Sequence, residues 1–180
     1  SWSVAHDRAL DAAEIDGNDT LYIGYNKDMA REFIDDAAAF AKTLDAAMRA
    51  YEVEEDVFKD VDKDITVFRL KFASGHKIEA LSSRPSNLRG HKGGICIVID
   101  EAAFHDNLAE LLKAAMAHLI WGGRVMIIST HNGEDNPFNE IIKQVRAGRL
   151  PYSVHRVDLD DALAQGLYKR ICFVTGREWS

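Results

Sequence analysis

Residues 95 to 100 read ICIVID, five apolar residues closed by an acid, and residues 125 to 130 read VMIIST, a second apolar run that exits into hydroxyls. Runs this short and this apolar are what strands buried on both faces of a parallel sheet look like. Between them Leu108, Leu111, Leu112, Ala115 and Leu119 recur at three- and four-residue steps, which predicts a helix over 106–119 that returns through Gly122-Gly123. A strand, helix, strand unit argues for an α/β sandwich with a mostly parallel sheet.

The remaining pattern fits such a sheet. Residues 4–13 predict a short helix, and TLYIGY at 20–25 a strand followed by Asn26 as a helix cap. From Met29 the residues Phe33, Ala37, Phe40, Leu44, Ala47 and Tyr51 form one apolar stripe, predicting a helix of about six turns. Between Glu52 and Asp64 lie seven carboxylates against Lys59 and Lys63, which reads as an exposed, solvated connection, with a docking surface for a basic partner as the alternative. Residues 65–72 alternate and lead through Ser74-Gly75 into a strand at 77–81, a hairpin near a sheet edge. The stretch SSRPSNLRGHKGG, 82–94, is a loop whose Arg84, Arg89, His91 and Lys92 supply donors for phosphate or carboxylate. Asn136-Pro137 opens a helix with Phe138, Ile141, Ile142 and Val145 on its buried face and Gly148 at its end. Tyr152 to Val157 predicts a further strand, and the acidic turn 158–161 opens the terminal helices. With 180 residues, 47% of them apolar, and no internal repeat, one domain is expected.

Charge and composition narrow the function classes. Lys and Arg number 22 and Asp and Glu 29, a net charge of −7, so the surface as a whole is no polycation and any nucleic-acid contact is local or made elsewhere. No apolar stretch reaches the roughly 20 residues of a membrane span, and the opening SWSVAHDR lacks the order of a signal peptide. Cys96 and Cys172 are too few for a disulfide framework. The expectation is a soluble protein of a reducing cytosol. The histidines and cysteines do not fall at zinc-ligand spacings, and no GxSxG elbow occurs. The aromatics follow core periodicity rather than basic residues, which speaks against a platform for stacking single-stranded nucleic acid.

The residues that bear chemistry gather at the strand ends. Asp100 and Glu101 close the ICIVID run at the carboxyl edge of a central strand, where open α/β sheets bind ligands. In a nucleoside triphosphatase the first acid holds Mg²⁺ and the second orients or deprotonates the attacking water. An acidic pair that merely caps the next helix is the alternative. The following strand exits through Ser129, Thr130, His131, Asn132 and Gly133, placing short polar groups beside that pair if the strands are neighbours. Arg89, ahead of the acidic strand, is either a surface arginine paired with an acid or a guanidinium able to stabilise charge on a transferred phosphate.

The run ALSSRPSNLRGHKGGICIVIDEAAFH, then LIWGGRVMIISTHNG, NPFNEII and the terminal GLYKRICFVTGREWS, resembles the ATPase domain of the large terminase subunit of Mu-like phages and prophages over nearly the whole chain. The resemblance implies a RecA-like fold of the additional-strand, catalytic-glutamate type of P-loop NTPase, a three-layer sandwich. It implies ATP and Mg²⁺ as the nucleotide and metal, Asp100 as the Walker B metal acid and Glu101 as the catalytic glutamate. Ser129, Thr130, His131 and Asn132 match the motif that couples hydrolysis to movement, and Arg89 matches an arginine whose role varies among terminases. The implied partners are double-stranded phage DNA, the portal protein, the small terminase subunit and further copies of the chain in a ring, in the host cytoplasm and with no membrane. A glycine-rich Walker A loop, GxxxxGK[ST], does not occur in these 180 residues. The family places it just before a helix resembling WSVAHDRAL, so the expectation is a fragment that starts at the loop's last hydroxyl, Ser1 or Ser3. Such a fragment would lack the first strand of the sheet and the nuclease domain, and would hydrolyse ATP poorly or not at all alone. Two competing readings are a helicase-like translocase, suggested by DEAA, and a non-catalytic α/β module that binds a partner protein.

Overall fold

A computed structural model describes residues 1–43, 51–60, 63–82 and 94–178, with 51–60 and 63–66 described by their backbone. Two compact units divide the chain, Ser1–Asn139 and Glu140–Ser180.

The first unit is built on a six-stranded mixed sheet. Its strands are β1 (Thr20–Gly24), β2 (Tyr51–Asp60), β3 (Lys63–Phe72), β4 (Lys77–Ser82), β5 (Cys96–Ile99) and β6 (Arg124–Ile127), in the order β2-β3-β4-β1-β5-β6. The pairs β4–β1, β1–β5 and β5–β6 are parallel, and β2–β3 and β3–β4 antiparallel. The predicted α/β class with a mostly parallel sheet is therefore what forms. ICIVID supplies β5, every residue of which is buried between two parallel neighbours.

Helices α1 (Trp2–Ala13) and α2 (Lys27–Thr43) pack on each other and on one face of the sheet. Their apolar residues Ala5, Ala9, Phe33, Ile34 and Ala37 close a core with Tyr22, Phe68, Leu70, Ile78, Ala80 and Val98. Burying each large apolar side chain contributes about 1.5–3 kcal/mol. Leu21, Ile23, Ile97 and Ile99 alternate to the opposite face and are equally buried. Helix α3 (Leu108–Leu119) follows β5 after a 3₁₀ turn, Ala102–Phe104, and packs on β6. Asn26 caps α2 as expected, its Oδ1 accepting the Met29 N–H at 2.9 Å. Where α3 turns into β6 the backbones pass so closely that a Cβ on Gly123 would lie 2.7 Å from the Ile95 carbonyl oxygen, so only glycine fits.

Two expectations in this unit change. Helix α2 is described to Thr43, and Tyr51, expected as its last stripe residue, is the first residue of β2; Leu44 and Ala47 lie outside the described residues. The acidic segment is not a loop connection either, because β2 and β3 pair along ten residues each from Tyr51↔Phe72 to Asp60↔Lys63. The overlooked signal is the alternation of Tyr51, Val53 and Val57 with acids. The register pairs Glu52 with Lys71 and Glu54 with Arg69.

The second unit is helical. Helix α4 (Pro137–Arg146) runs into it, capped by Asn136, whose Oδ1 accepts the Asn139 N–H at 3.0 Å. Its apolar face is only half-buried. Helix α5 (Leu159–Ala164) starts in a capping box in which the Asp158 and Asp161 carboxylates each accept the other's backbone N–H, and α6 (Leu167–Thr175) packs against it. Tyr152 to Val157 forms no strand, contrary to expectation: no described strand runs beside it, and β-branched content makes a strand only where a partner completes the ladder. Among the described residues no helix is long and apolar enough to cross a membrane.

Candidate active site at the ends of β5 and β6

Asp100 extends β5 by one residue, its N–H donating to the Ile23 carbonyl of β1 at 3.0 Å. That bond draws the side chain inside, where it is 3% exposed. A buried carboxylate needs donors, and Asp100 has one on each oxygen. The Tyr22 hydroxyl donates to Oδ2 at 2.7 Å and the Glu101 N–H to Oδ1 at 2.9 Å. The Asp100 carbonyl, which leaves the ladder at this point, accepts from His105 Nε2 at 2.7 Å. Burial, and then the bond to Asp100, pushes the Tyr22 phenol well above its ordinary pKa, so it stays a neutral donor.

Glu101 turns the chain sharply. Its φ of 50° and ψ of 42° are left-handed, and it is the one non-glycine residue with positive φ among those described. A side chain is rarely found there and costs about 1–2 kcal/mol. The turn is tied to the exit of β6 by backbone and side chain. Ala102 N–H donates to the Ile128 carbonyl at 3.0 Å, Ala103 N–H to Ser129 Oγ at 3.0 Å, and Asn132 Nδ2 to the Ala103 carbonyl at 3.1 Å. The Thr130 hydroxyl lies 3.4 Å from Glu101 Oε2, a long contact. Asn136 Nδ2 in turn donates to the Asn132 and Gly133 carbonyls at 2.9 Å each. Asp100, Glu101, Ser129, Thr130 and Asn132 thus meet at one sheet edge, and His131 is exposed beside them. Arg89, with Arg84, His91 and Lys92, lies outside the described residues.

Ser1, at the start of α1, shares a cleft of about 330 Å³ with Tyr22, Phe33, Met29, Glu32 and Asp36. Ser3 does not line it. Two positions in contact with Asp100 escape sequence reasoning: Tyr22, hidden in a strand of core composition, and His105, in a segment expected to lead only into a helix. Their signal is a polar atom at an otherwise apolar position, interpretable only once the strand neighbours are known.

Among the described residues no cluster of three or more His, Cys, Asp or Glu is placed to hold a metal. One buried carboxylate is the wrong set for zinc but suits Mg²⁺, which takes one or two carboxylates, waters and the oxygens of a substrate phosphate. Glu101, half-exposed beside it, is free of the ladder and able to accept a proton from water.

No protein-family model matches the chain. The Mu-like prophage FluMu protein gp28 of Haemophilus influenzae is 52% identical to it over 183 aligned positions, covering 100% of this chain and 35% of that protein. The probable terminase, large subunit gp28 of Escherichia phage Mu is 50% identical over 186 positions, covering 100% of this chain and 33% of the relative. The chain thus spans about a third of the length of the curated relatives it matches. Among solved structures, the large terminase from a thermophilic bacteriophage superposes with a TM-score of 0.51 at 16% identity, over 86% of this chain and 37% of that one. That likeness is one of fold, and it agrees with the RecA-like α/β architecture expected. With half its residues shared along its whole length, the chain is homologous to about a third of the gp28 proteins of Mu-like phages and prophages, one of which bears the name of a large terminase subunit.

Proposed function

We propose that this chain carries the ATP-hydrolysing site of a DNA-packaging motor. The observation that supports it best is the junction of β5 with its turn: a buried acid pinned on both oxygens, followed by a glutamate in a left-handed conformation beside the polar exit of the next strand. Strain of that kind is retained where it aims a functional side chain.

Asp100 is the residue that would hold the Mg²⁺ accompanying ATP, with Ser1 as the second oxygen donor at the mouth of the cleft. The ion's chemistry there is to neutralise phosphate charge and polarise the transferred phosphoryl group. Glu101 accepts the proton of the attacking water; its carboxylate lies by the Thr130 hydroxyl while that of Asp100 is held by Tyr22, so the two acids serve different partners. Thr130 and Asn132, tied to the same turn, register the change in charge when phosphate leaves. Arg89 stabilises charge on the transferred phosphate.

In the whole protein the product of this chemistry is movement of double-stranded DNA through the portal into a procapsid. A ring of copies would act there with the small terminase subunit in the host cytoplasm. At a net charge of −7 this part of the chain is a poor DNA-binding surface, which leaves DNA to other parts of the protein. The triphosphate cradle is likewise not among these residues, so the 180-residue chain alone turns over ATP poorly.

The test compares Mg-ATP binding and steady-state hydrolysis by the full-length protein, by this chain and by both carrying Glu101→Gln. Turnover by the full-length protein alone, reduced about 10²–10⁴-fold by Glu101→Gln with nucleotide binding retained, is the expected result. Failure of the full-length protein to bind nucleotide would refute it.

A further inference from the structure

Tyr22 and Asp100 are 78 residues apart in sequence, are 1% and 3% exposed, and meet through a 2.7 Å hydrogen bond from the phenol to Oδ2. A core tyrosine whose hydroxyl had merely found an acceptor could have used a backbone carbonyl. This one points at the carboxylate that the ATPase reading makes the metal acid. Its ring is not free to swing, because Phe33 stacks on it at 3.8 Å with only 13° between the planes. Oδ1 is held by the Glu101 N–H at 2.9 Å, so the carboxylate is fixed at both ends and cannot rotate about its own bond. One lone pair on each oxygen remains for a ligand. The tyrosine also lines the cleft that Ser1 lines, so it borders that cleft as well as the acid.

We infer that Tyr22 is a positioning residue for the ATPase site, holding the Asp100 carboxylate in the one orientation that presents its free lone pairs to a divalent cation. The inference rests on the ATPase reading given above. Partners that orient a metal-binding carboxylate are worth about 10–100-fold in metal affinity or activity. Tyr22 touches no reacting atom, and its effect passes through Asp100.

The experiment uses the full-length protein and its Tyr22→Phe variant, which keeps the ring and its stack on Phe33 and removes only the donor. Bound Mn²⁺ is measured by electron paramagnetic resonance with a non-hydrolysable ATP analogue, and the Mg²⁺ dependence of turnover is followed in parallel. Metal affinity is expected to fall about tenfold or more, with KM for ATP at saturating Mg²⁺ unchanged. Phe68→Leu, elsewhere in the same core, is the packing control: it lowers thermal stability and leaves Mn²⁺ affinity at the wild-type value. Wild-type metal affinity in Tyr22→Phe, or an equal loss in Phe68→Leu, overturns the inference while the ATPase reading stands, provided Glu101→Gln still abolishes turnover. If the wild-type protein neither binds the nucleotide analogue nor hydrolyses ATP, the reading fails and the inference falls with it.

Discussion

Replacing Glu101 by glycine and by alanine separates the strain at the site from its chemistry. At φ 50° and ψ 42°, any residue with a Cβ bears about 1–2 kcal/mol that glycine does not. Glycine costs about 0.4–1 kcal/mol in unfolded-chain entropy relative to alanine. The difference leaves Glu101→Gly more stable than Glu101→Ala by about 0.5–1 kcal/mol, the reverse of the order found at ordinary positions. The lost contact from Thr130, 3.4 Å long, changes this little and is common to both variants. For 150–250 residues 1 kcal/mol shifts Tm by about 2–4 °C, so the glycine variant should melt about 2 °C above the alanine variant. Thermal unfolding of the 180-residue chain by circular dichroism, with urea midpoints as a second measure, reads the difference. On the proposed function both variants of the full-length protein lose turnover alike, which makes glycine here a substitution that stabilises and inactivates at once. Alanine as stable as glycine, or more so, would refute the left-handed assignment and with it the claim that strain aims this glutamate.

Three further outcomes follow from neighbouring contacts. Among the described residues His105 Nδ1 is buried with no hydrogen-bond partner while Nε2 serves the Asp100 carbonyl, so His105→Leu orphans one buried group and removes another, each worth about 1–3 kcal/mol. Stability should change by no more than about 1 kcal/mol while full-length turnover falls, and His105→Gln, which keeps an N–H donor, should recover the rate; an uncorrected loss in the glutamine variant would contradict this. Ser129→Ala takes the acceptor from the buried Ala103 N–H and should destabilise the chain by about 1–2 kcal/mol in urea titration. Asp158 caps α5, and the Asp161 N–H bond holds its carboxyl below the ordinary aspartate value. Its contribution is therefore complete above the unfolded pKa and lost as pH falls through the depressed native one; helical ellipticity of Asp158→Ala should lack the part of the acid transition that the wild type shows.

What was legible in the sequence was what depends on local pattern. ICIVID reads as a doubly buried strand and the spacing from Leu108 to Leu119 as one face of a helix, so β5, α3, β6 and the acids at the sheet edge followed together. The caps at Asn26 and Asn136 and the Asp158 turn were readable for the same reason: a side-chain oxygen serves an N–H three residues on. The segment 51–60 was misread because seven nearby carboxylates suggested solvation, when alternation with Tyr51, Val53 and Val57 and the basic β3 opposite allowed pairing. Tyr152 to Val157 failed the other way, with strand composition but no described strand paired with it. Tyr22 and His105 were illegible in principle, since their importance comes from strands and turns distant in sequence converging on Asp100.

The ties between the two strand ends bear on how hydrolysis could become movement. Three hydrogen bonds link residues 102–103 to Ile128, Ser129 and Asn132, and Asn136, the cap of α4, holds the Asn132 and Gly133 carbonyls. A displacement of Glu101 of a few tenths of an ångström therefore cannot be absorbed at the turn, because close-packed neighbours shift with it or the bonds break. On the proposed reading, Asn132 connects the acid at one end to the N-terminal cap of a helix at the other. Asn132→Ala should then weaken the dependence of translocation on hydrolysis more than hydrolysis itself, since it removes the bond to Ala103 while leaving Asp100 and its donors in place. Measuring ATP consumed per base pair packaged by the full-length protein distinguishes the cases. A raised ratio with near-normal turnover supports transmission through this segment, and parallel loss of both rates assigns Asn132 to the chemistry instead.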